Sequence, residues 1–305
     1  MRAVAIMCAR NEEAHIWSAL TDLIGEGCEV ILIDHDSADR TVAIAREFLG
    51  RGLLAIERLS WTGRFSLTEQ LDAKWRIIDR LDHDWIVHVD ADEWLSGPDP
   101  GQTLLQGLRA ADAAGYNCVH FNEYVFVPQP GEDLWGMEDY RRRLTRYYFF
   151  QPRYPFLLRA WKNRAGLENR DHAGHLLSGE ARWYPRDFPL RHYIFLSETH
   201  ARRKYLTRQF DEAEVGLGWH RDKLRATSET LWFPGDERMH FLPRWSSKHF
   251  DAGTPFTEHY WEWALPGSAY ALDAPHRLPP RRLRRLRPDS VSRVQRRQPS
   301  PRAGS

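Results

Sequence analysis

The hydrophobic positions of the first 127 residues fall in short continuous runs, each followed by a stretch with helical spacing. Ala3 to Cys8, Glu29 to Asp34, Leu53 to Leu59 and Trp85 to Val89 have strand length, and their nearly unbroken apolar character suits strands buried on both faces. Between them the pattern becomes amphipathic. Asn11 is placed to cap a helix that stops at Gly25 and Gly27, and Asp39 to cap another over Thr41 to Leu49. Ser66 to Leu81 and Gln102 to Ala114 predict two more helices, and Asn117 to Val127 a long closing strand. The order β-α-β-α-β-α-β-α-β predicts an α/β fold whose mostly parallel sheet carries helices on both faces.

Beyond Val127 the periodicity loosens. Residues 128–200 mix aromatics with Arg and His, and Tyr205 to Val215 predicts a helix. From Pro275 the chain is rich in Pro, Arg and Ser with little to bury, which predicts disorder. Three regions are therefore expected: an α/β binding domain over 1–127, an aromatic-rich region over 128–274, and a disordered tail over 275–305.

Charge sharpens this division. The net charge is +1, yet ten Arg and a single acid, Asp289, follow residue 276, leaving a body of about −8. An acidic body argues against nucleic acid as a partner, which would require a basic face. The Arg-rich tail suits peripheral contact with an anionic membrane surface. No run reaches the ~20 apolar residues of a membrane span, and the first run is too short for a signal peptide. Three cysteines, Cys8, Cys28 and Cys118, without metal-type spacing predict a reducing compartment, hence the cytoplasm, with Cys8 and Cys118 packed in their apolar runs.

Polar clusters follow three of the strands, at the strand ends where open α/β sheets bind ligands. Arg10-Asn11-Glu12-Glu13 follows the first, Asp34-His35-Asp36-Ser37-Ala38-Asp39 the second, and Asp90-Ala91-Asp92-Glu93 the fourth. Three carboxylates in four residues repel one another, and a divalent cation such as Mn²⁺ or Mg²⁺ would offset that cost. Asp34 at a strand end suits a base N–H or ribose hydroxyl, and Glu12 suits ribose. Ser37, Asp39 and Thr41 read as turn and cap residues. A Gly-x-Gly-x-x-Gly after the first strand and a Gly-Lys-Ser/Thr phosphate loop are both missing, which counts against a Rossmann dehydrogenase and a P-loop NTPase.

Together, C-A-R-N-E-E, I-D-H-D-S-A-D-R-T and W-I-V-H-V-D-A-D-E-W resemble the family 2 glycosyltransferases of GT-A fold, in particular a bacterial branch whose first strand ends in Arg-Asn-Glu. The resemblance implies nucleoside binding by Arg10, Asn11, Glu12, Asp34 and Asp36, with Asp90 also at the donor. It implies Mn²⁺ or Mg²⁺ on Asp90 and Asp92, a UDP-, GDP- or dTDP-sugar donor, and inversion at the anomeric carbon. His35 stands where many members carry Asp or Asn. The same resemblance implies a third metal ligand among His192, His175 and His172.

For the base that deprotonates an acceptor hydroxyl, the acids between Asp92 and His192 offer Asp171 and Glu168. Trp135, Tyr140, Tyr147, Tyr148, Trp161, Trp183 and Tyr184 suit a glycan or lipid-linked acceptor, and Arg141–Arg143 with Arg146 suit an anionic one. A sugar nucleotidyltransferase and a non-catalytic nucleotide- or glycan-binding module are the alternatives. Asp92, at a strand end, is expected to tolerate Ala without loss of the fold.

Overall fold

The computed structural model describes residues 1–271. The tail from 275 and the last residues of the middle region therefore lie outside the described residues.

Ten strands are described: β1 (Ala3–Ala9), β2 (Glu29–Asp34), β3 (Leu53–Arg58), β4 (Trp85–Val89), β5 (Glu93–Leu95), β6 (Cys118–Phe126), β7 (Arg146–Phe150), β8 (Leu157–Lys162), β9 (Phe188–His192) and β10 (His240–Phe241). The helices are α1 (Ile16–Gly25), α2 (Thr41–Arg46), α3 (Leu67–Ile78), α4 (Leu104–Ala113), α5 (Tyr140–Arg143), α6 (Glu198–Leu206), α7 (Glu212–Gly216) and α8 (Arg221–Leu224). All four expected helices of the first half are present, but α1 starts only at Ile16 with His15 at its N-cap, so Asn11, at φ of 55° and bonded to the Ala38 amide, belongs to the preceding loop rather than capping the helix.

The sheet runs β10-β7-β6-β8-β4-β1-β2-β3, with β9 beside β6 and β5 beside β9. Strands β3, β2, β1 and β4 pair in parallel. Strand β8 inserts antiparallel between β4 and β6, so β6 still points the same way as β4. The sheet is thus continuous across residue 127, and most strands share one direction.

Alternation along β1 shows why its apolar run is unbroken. Ala3, Ala5, Met7 and Ala9 join a core with Ile16, Leu20, Leu104 and Leu108, while Val4, Ile6 and Cys8 join one with Ala73, Ile77 and Ile78. Helices cover both faces, so neither set of side chains meets water. The three cysteines are free and buried.

The helix expected over Tyr205–Val215 is two helices. Helix α6 ends at Leu206, and α7 starts after Asp211, whose carboxylate accepts from the Ala213 and Glu214 amides. Asp211 is a better cap than an interior residue, so the chain restarts there. Strands β7 to β10, invisible in the looser pattern, are built from aromatic runs such as Arg146–Phe150, buried throughout.

One residue ties the halves together. Glu214, 2% exposed, accepts from Ser66 Oγ at 3.0 Å and from the amides of Leu67 and Thr68 at 3.1 and 2.6 Å, while His220 Nε2 lies 2.8 Å away. It thereby satisfies first-turn donors of α3, beside the N-cap Ser66.

Candidate active site

The carboxyl ends of β1, β2 and β4 lie level, with Ala9 opposite Asp34 and Met7 opposite Val89. The loops that follow β1 and β2 are laced to each other by their own polar residues. Asn11 Oδ1 accepts from the Ala38 amide at 2.8 Å, the Glu12 amide donates to Thr41 Oγ1 at 2.8 Å, and the Glu13 amide donates to Asp39 at 3.1 Å. Arg10 donates to the carbonyls of His35, at 2.6 Å, and of Asp36, and its guanidinium lies 4.1 Å over the Trp61 ring.

These loops form one wall of a cleft of about 1230 Å³. Arg10, Asn11, Glu12, Asp90, Asp92, Asp171, His172, His175 and His192 all line it. Asp34, Asp36 and Glu168 are not among its lining residues. Asp34 instead accepts from the Ser37 amide at 3.1 Å. Asp36 accepts from Arg58 at 2.6 Å and from the Trp61 amide at 2.8 Å, which sets the ring that Arg10 stacks on. Glu168 is paired with Arg170. His35 is fully buried behind Trp61, with ring centroids 5.0 Å apart, and burial lowers its pKa.

At the floor, four carboxylates meet four cationic groups. Glu93 is 2% exposed and accepts from Arg159 at 2.9 Å and from the Asp90 amide at 3.0 Å. Burial raises its pKa to about 7 against the pull of Arg159. Asp90 is the open member: its side chain is 44% exposed, with Arg159 at 3.5 Å and Lys74 at 3.9 Å. Asp92 is buried, with Lys204 Nζ at 2.6 Å and His192 Nε2 at 3.4 Å from the same oxygen. The other nitrogen of His192, Nδ1, lies 2.6 Å from Glu123. Burial alone would lower the pKa of His192, but Asp92 and then Glu123 override it and raise it to about 10. Burial works against the charge of Asp92 too, and Lys204 with His192 outweighs it, so its pKa falls well below the usual carboxylate range.

Register explains how the second half reaches this floor. Antiparallel pairing sets His192 of β9 opposite Glu93 of β5, and parallel pairing sets it opposite Val125 of β6. Helix α6 then begins just after Ser197, which caps it by accepting from the His200 amide, and delivers Lys204 two turns on. Glu12, half-buried across the cleft, has its pKa raised to about 7 by burial, with Lys204 opposing.

Sequence reasoning missed Lys204, Arg159, Lys74 and Glu123. Lys204 lies in the run Arg202-Arg203-Lys204, and nothing in that run points to an aspartate 112 residues earlier. Arg159 and Glu123 sit within strands and carry no local signature.

The expected metal ligands converge on the cleft, but not as a donor set. His192 faces a carboxylate with each ring nitrogen, and burial lowers the pKa of His175 to about 3 while its ring packs 5.1 Å from Phe156. Among the described residues no group of three His, Cys, Asp or Glu is arranged to hold a metal ion. The aromatic expectation also divides. Trp135 lines the cleft, whereas Tyr140, Tyr147, Tyr148 and Trp161 are core. Arg141 and Arg146 are buried and paired with Asp22 and Asp236.

Residues 4–163 match glycosyl transferase family 2, and the chain belongs to that family. It is 36% identical over 92 residues to an uncharacterized glycosyltransferase of Rickettsia felis and 35% identical over 92 residues to one of Rickettsia bellii. Both matches cover 30% of this chain, which spans only 29% and 28% of the length of these relatives. Among solved structures, Staphylococcus aureus TarS aligns at 14% identity over 76% of this chain and 43% of its own, with a TM-score of 0.41. No helix among the described residues is long and apolar enough to cross a membrane.

Proposed function

We propose that this chain is an inverting glycosyltransferase that binds a nucleoside diphosphate sugar in the cleft and passes the sugar to a hydroxyl of a glycan or lipid-linked acceptor. The observation that carries this reading is the convergence of Arg10, Asn11 and Glu12 with Asp90 and Asp92 on one cleft at the carboxyl edge of the parallel strands. That convergence also supports placing the chain in the Arg-Asn-Glu branch of its family. The cleft, at about 1230 Å³, exceeds the roughly 300–1,000 Å³ of sites for drug-sized ligands, as a sugar nucleotide with an acceptor requires.

Asn11, whose backbone has φ of 55°, turns the chain so that the Glu12 carboxyl faces the cleft, where it suits the ribose hydroxyls. Trp61, held by Asp36 and Arg10, offers a flat ring for the base. The acceptor oxygen attacks the anomeric carbon, the bond from that carbon to the phosphate oxygen breaks, and the nucleoside diphosphate leaves with its charge. Asp171 is exposed on the wall of the second half and takes the proton of the attacking hydroxyl. Of the aromatics expected at the acceptor, Trp135 lines the cleft, with one face under Arg203.

The test is turnover of UDP-, GDP- and dTDP-sugars, read as release of nucleoside diphosphate. One nucleotide class should be consumed, and Asp171→Asn should lower kcat by about 100-fold or more with the donor KM unchanged. Turnover of no sugar nucleotide would remove the enzyme reading. Full turnover by Asp171→Asn would remove only that residue.

A further inference from the structure

The groups around Asp90 and Asp92 do not fit a divalent ion as arranged. The better-buried carboxylate, Asp92, gives one oxygen to both Lys204 and His192. His192 turns its two nitrogens to Asp92 and Glu123, so both are already engaged by carboxylates. Lys204 is itself held in place: its side chain is 10% exposed, and Nζ also lies 3.4 Å from the Ile194 carbonyl. A metal ion at Asp92 would have to expel a buried, doubly bonded ammonium.

The same wall supplies positive charge that is not tied up in ion pairs. Arg203 and Arg208 flank Lys204 and line the cleft, and neither forms an ion pair among the described residues. Aromatic faces hold both guanidinium groups, Arg203 at 4.2 Å from Trp135 and Arg208 at 4.7 Å from Phe65. Stacked in this way, a guanidinium keeps its N–H donors free for an incoming anion. Arg208 is also near enough to act electrostatically on both Lys204 and Glu12.

We infer that Arg203 and Arg208 neutralise the donor diphosphate in this protein while Lys204 neutralises Asp92, so that the nucleotide binds without a divalent cation. Lys204 cancels the charge of Asp92 beside the phosphates, and the two arginines grip the phosphate oxygens. The inference rests on the cleft being the donor site.

Calorimetry on the full chain tests it, with UDP, GDP and dTDP titrated in EDTA and again in excess Mn²⁺ or Mg²⁺. The expected result is that one nucleotide binds in EDTA, and that metal changes its Kd by less than about threefold. Arg208→Met, which breaks no ion pair, should weaken that binding by about tenfold or more. Lys204→Met should weaken it as well, by leaving the Asp92 charge beside the phosphates, and make it responsive to Mn²⁺, because only His192 then holds that oxygen. Binding by the wild type only in the presence of metal would overturn the inference and leave the donor reading standing. Unchanged affinity in Arg208→Met and Lys204→Met, with both variants folded by circular dichroism, would also overturn it. Failure of every nucleotide to bind under either condition would remove the donor reading itself.

Discussion

The carboxylates of this site come from one half of the chain and most of its cations from the other. Asp90, Asp92, Glu93 and Glu123 all precede residue 127, whereas Arg159, His192 and Lys204 follow it, with Lys74 of α3 the exception. The first half builds its cluster by local rules: a buried strand ends, and polar residues collect at its edge. The second half builds by long-range pairing, through β8 inserted beside β4 and β9 beside β6. An acidic cluster at a strand end is thus an incomplete electrostatic unit, and its sequence does not announce what completes it.

Breaking the link at its most buried point should have the largest effect. Asp92→Ala leaves Lys204 and His192 without their shared partner and should cost about 3–5 kcal/mol of stability, read from urea unfolding. Its place at a strand end suggests a tolerant position, but its 5% exposure and two cationic partners say otherwise. An unfolding free energy equal to wild type would mean that the halves are not electrostatically joined there.

Arg159→Met should cost less, about 1–3 kcal/mol at pH 8, by stranding Glu93. The deficit should shrink towards pH 5, because Glu93, already raised to about 7, escapes by taking a proton. A deficit independent of pH would show that packing, rather than charge, is what Arg159 contributes.

An effect of pH alone sharpens the comparison in the wild type. His192 is raised from 6.5 to about 10 in the folded state, so its contribution is fully present below about 6.5 and is lost as pH rises through about 10. Between those values the folded chain binds more protons than the unfolded one, and unfolding should release about one proton. Stability measured from pH 7 to pH 10 should fall accordingly, and His192→Gln should flatten the slope.

The smallest change lies wholly within the first half. Asp36→Asn weakens an exposed pairing with Arg58, so stability should not shift resolvably, while nucleotide affinity should fall by no more than about fivefold through a looser Trp61. A large loss of affinity would place Asp36 at the ligand after all.

The same contrast explains what could be read from sequence. Period and punctuation are local properties, so β1 to β4 and α1 to α4 were legible, as were the clusters that their ends present. Arg10, Glu12, Asp90 and Asp92 were legible because a strand end supplies their position. Asp34 and Asp36 share that address, yet they bond to neighbouring amides and to Arg58, which a sequence cannot distinguish from pointing at a ligand. Lys204 was not legible because its role depends on β5 pairing with β9, a contact between segments about a hundred residues apart.

Glu214 imposes an order on the making of this molecule. The open amides of Leu67 and Thr68 are answered by a side chain that joins the growing polypeptide 147 and 146 residues later. Until then the helix carrying Lys74 emerges from the ribosome with its leading turn incompletely satisfied, and the acidic strand ends wait almost as long for Lys204. The cleft is therefore completed late in synthesis, and a chain ending before residue 204 would carry the Asp92 carboxylate without the ammonium that answers it.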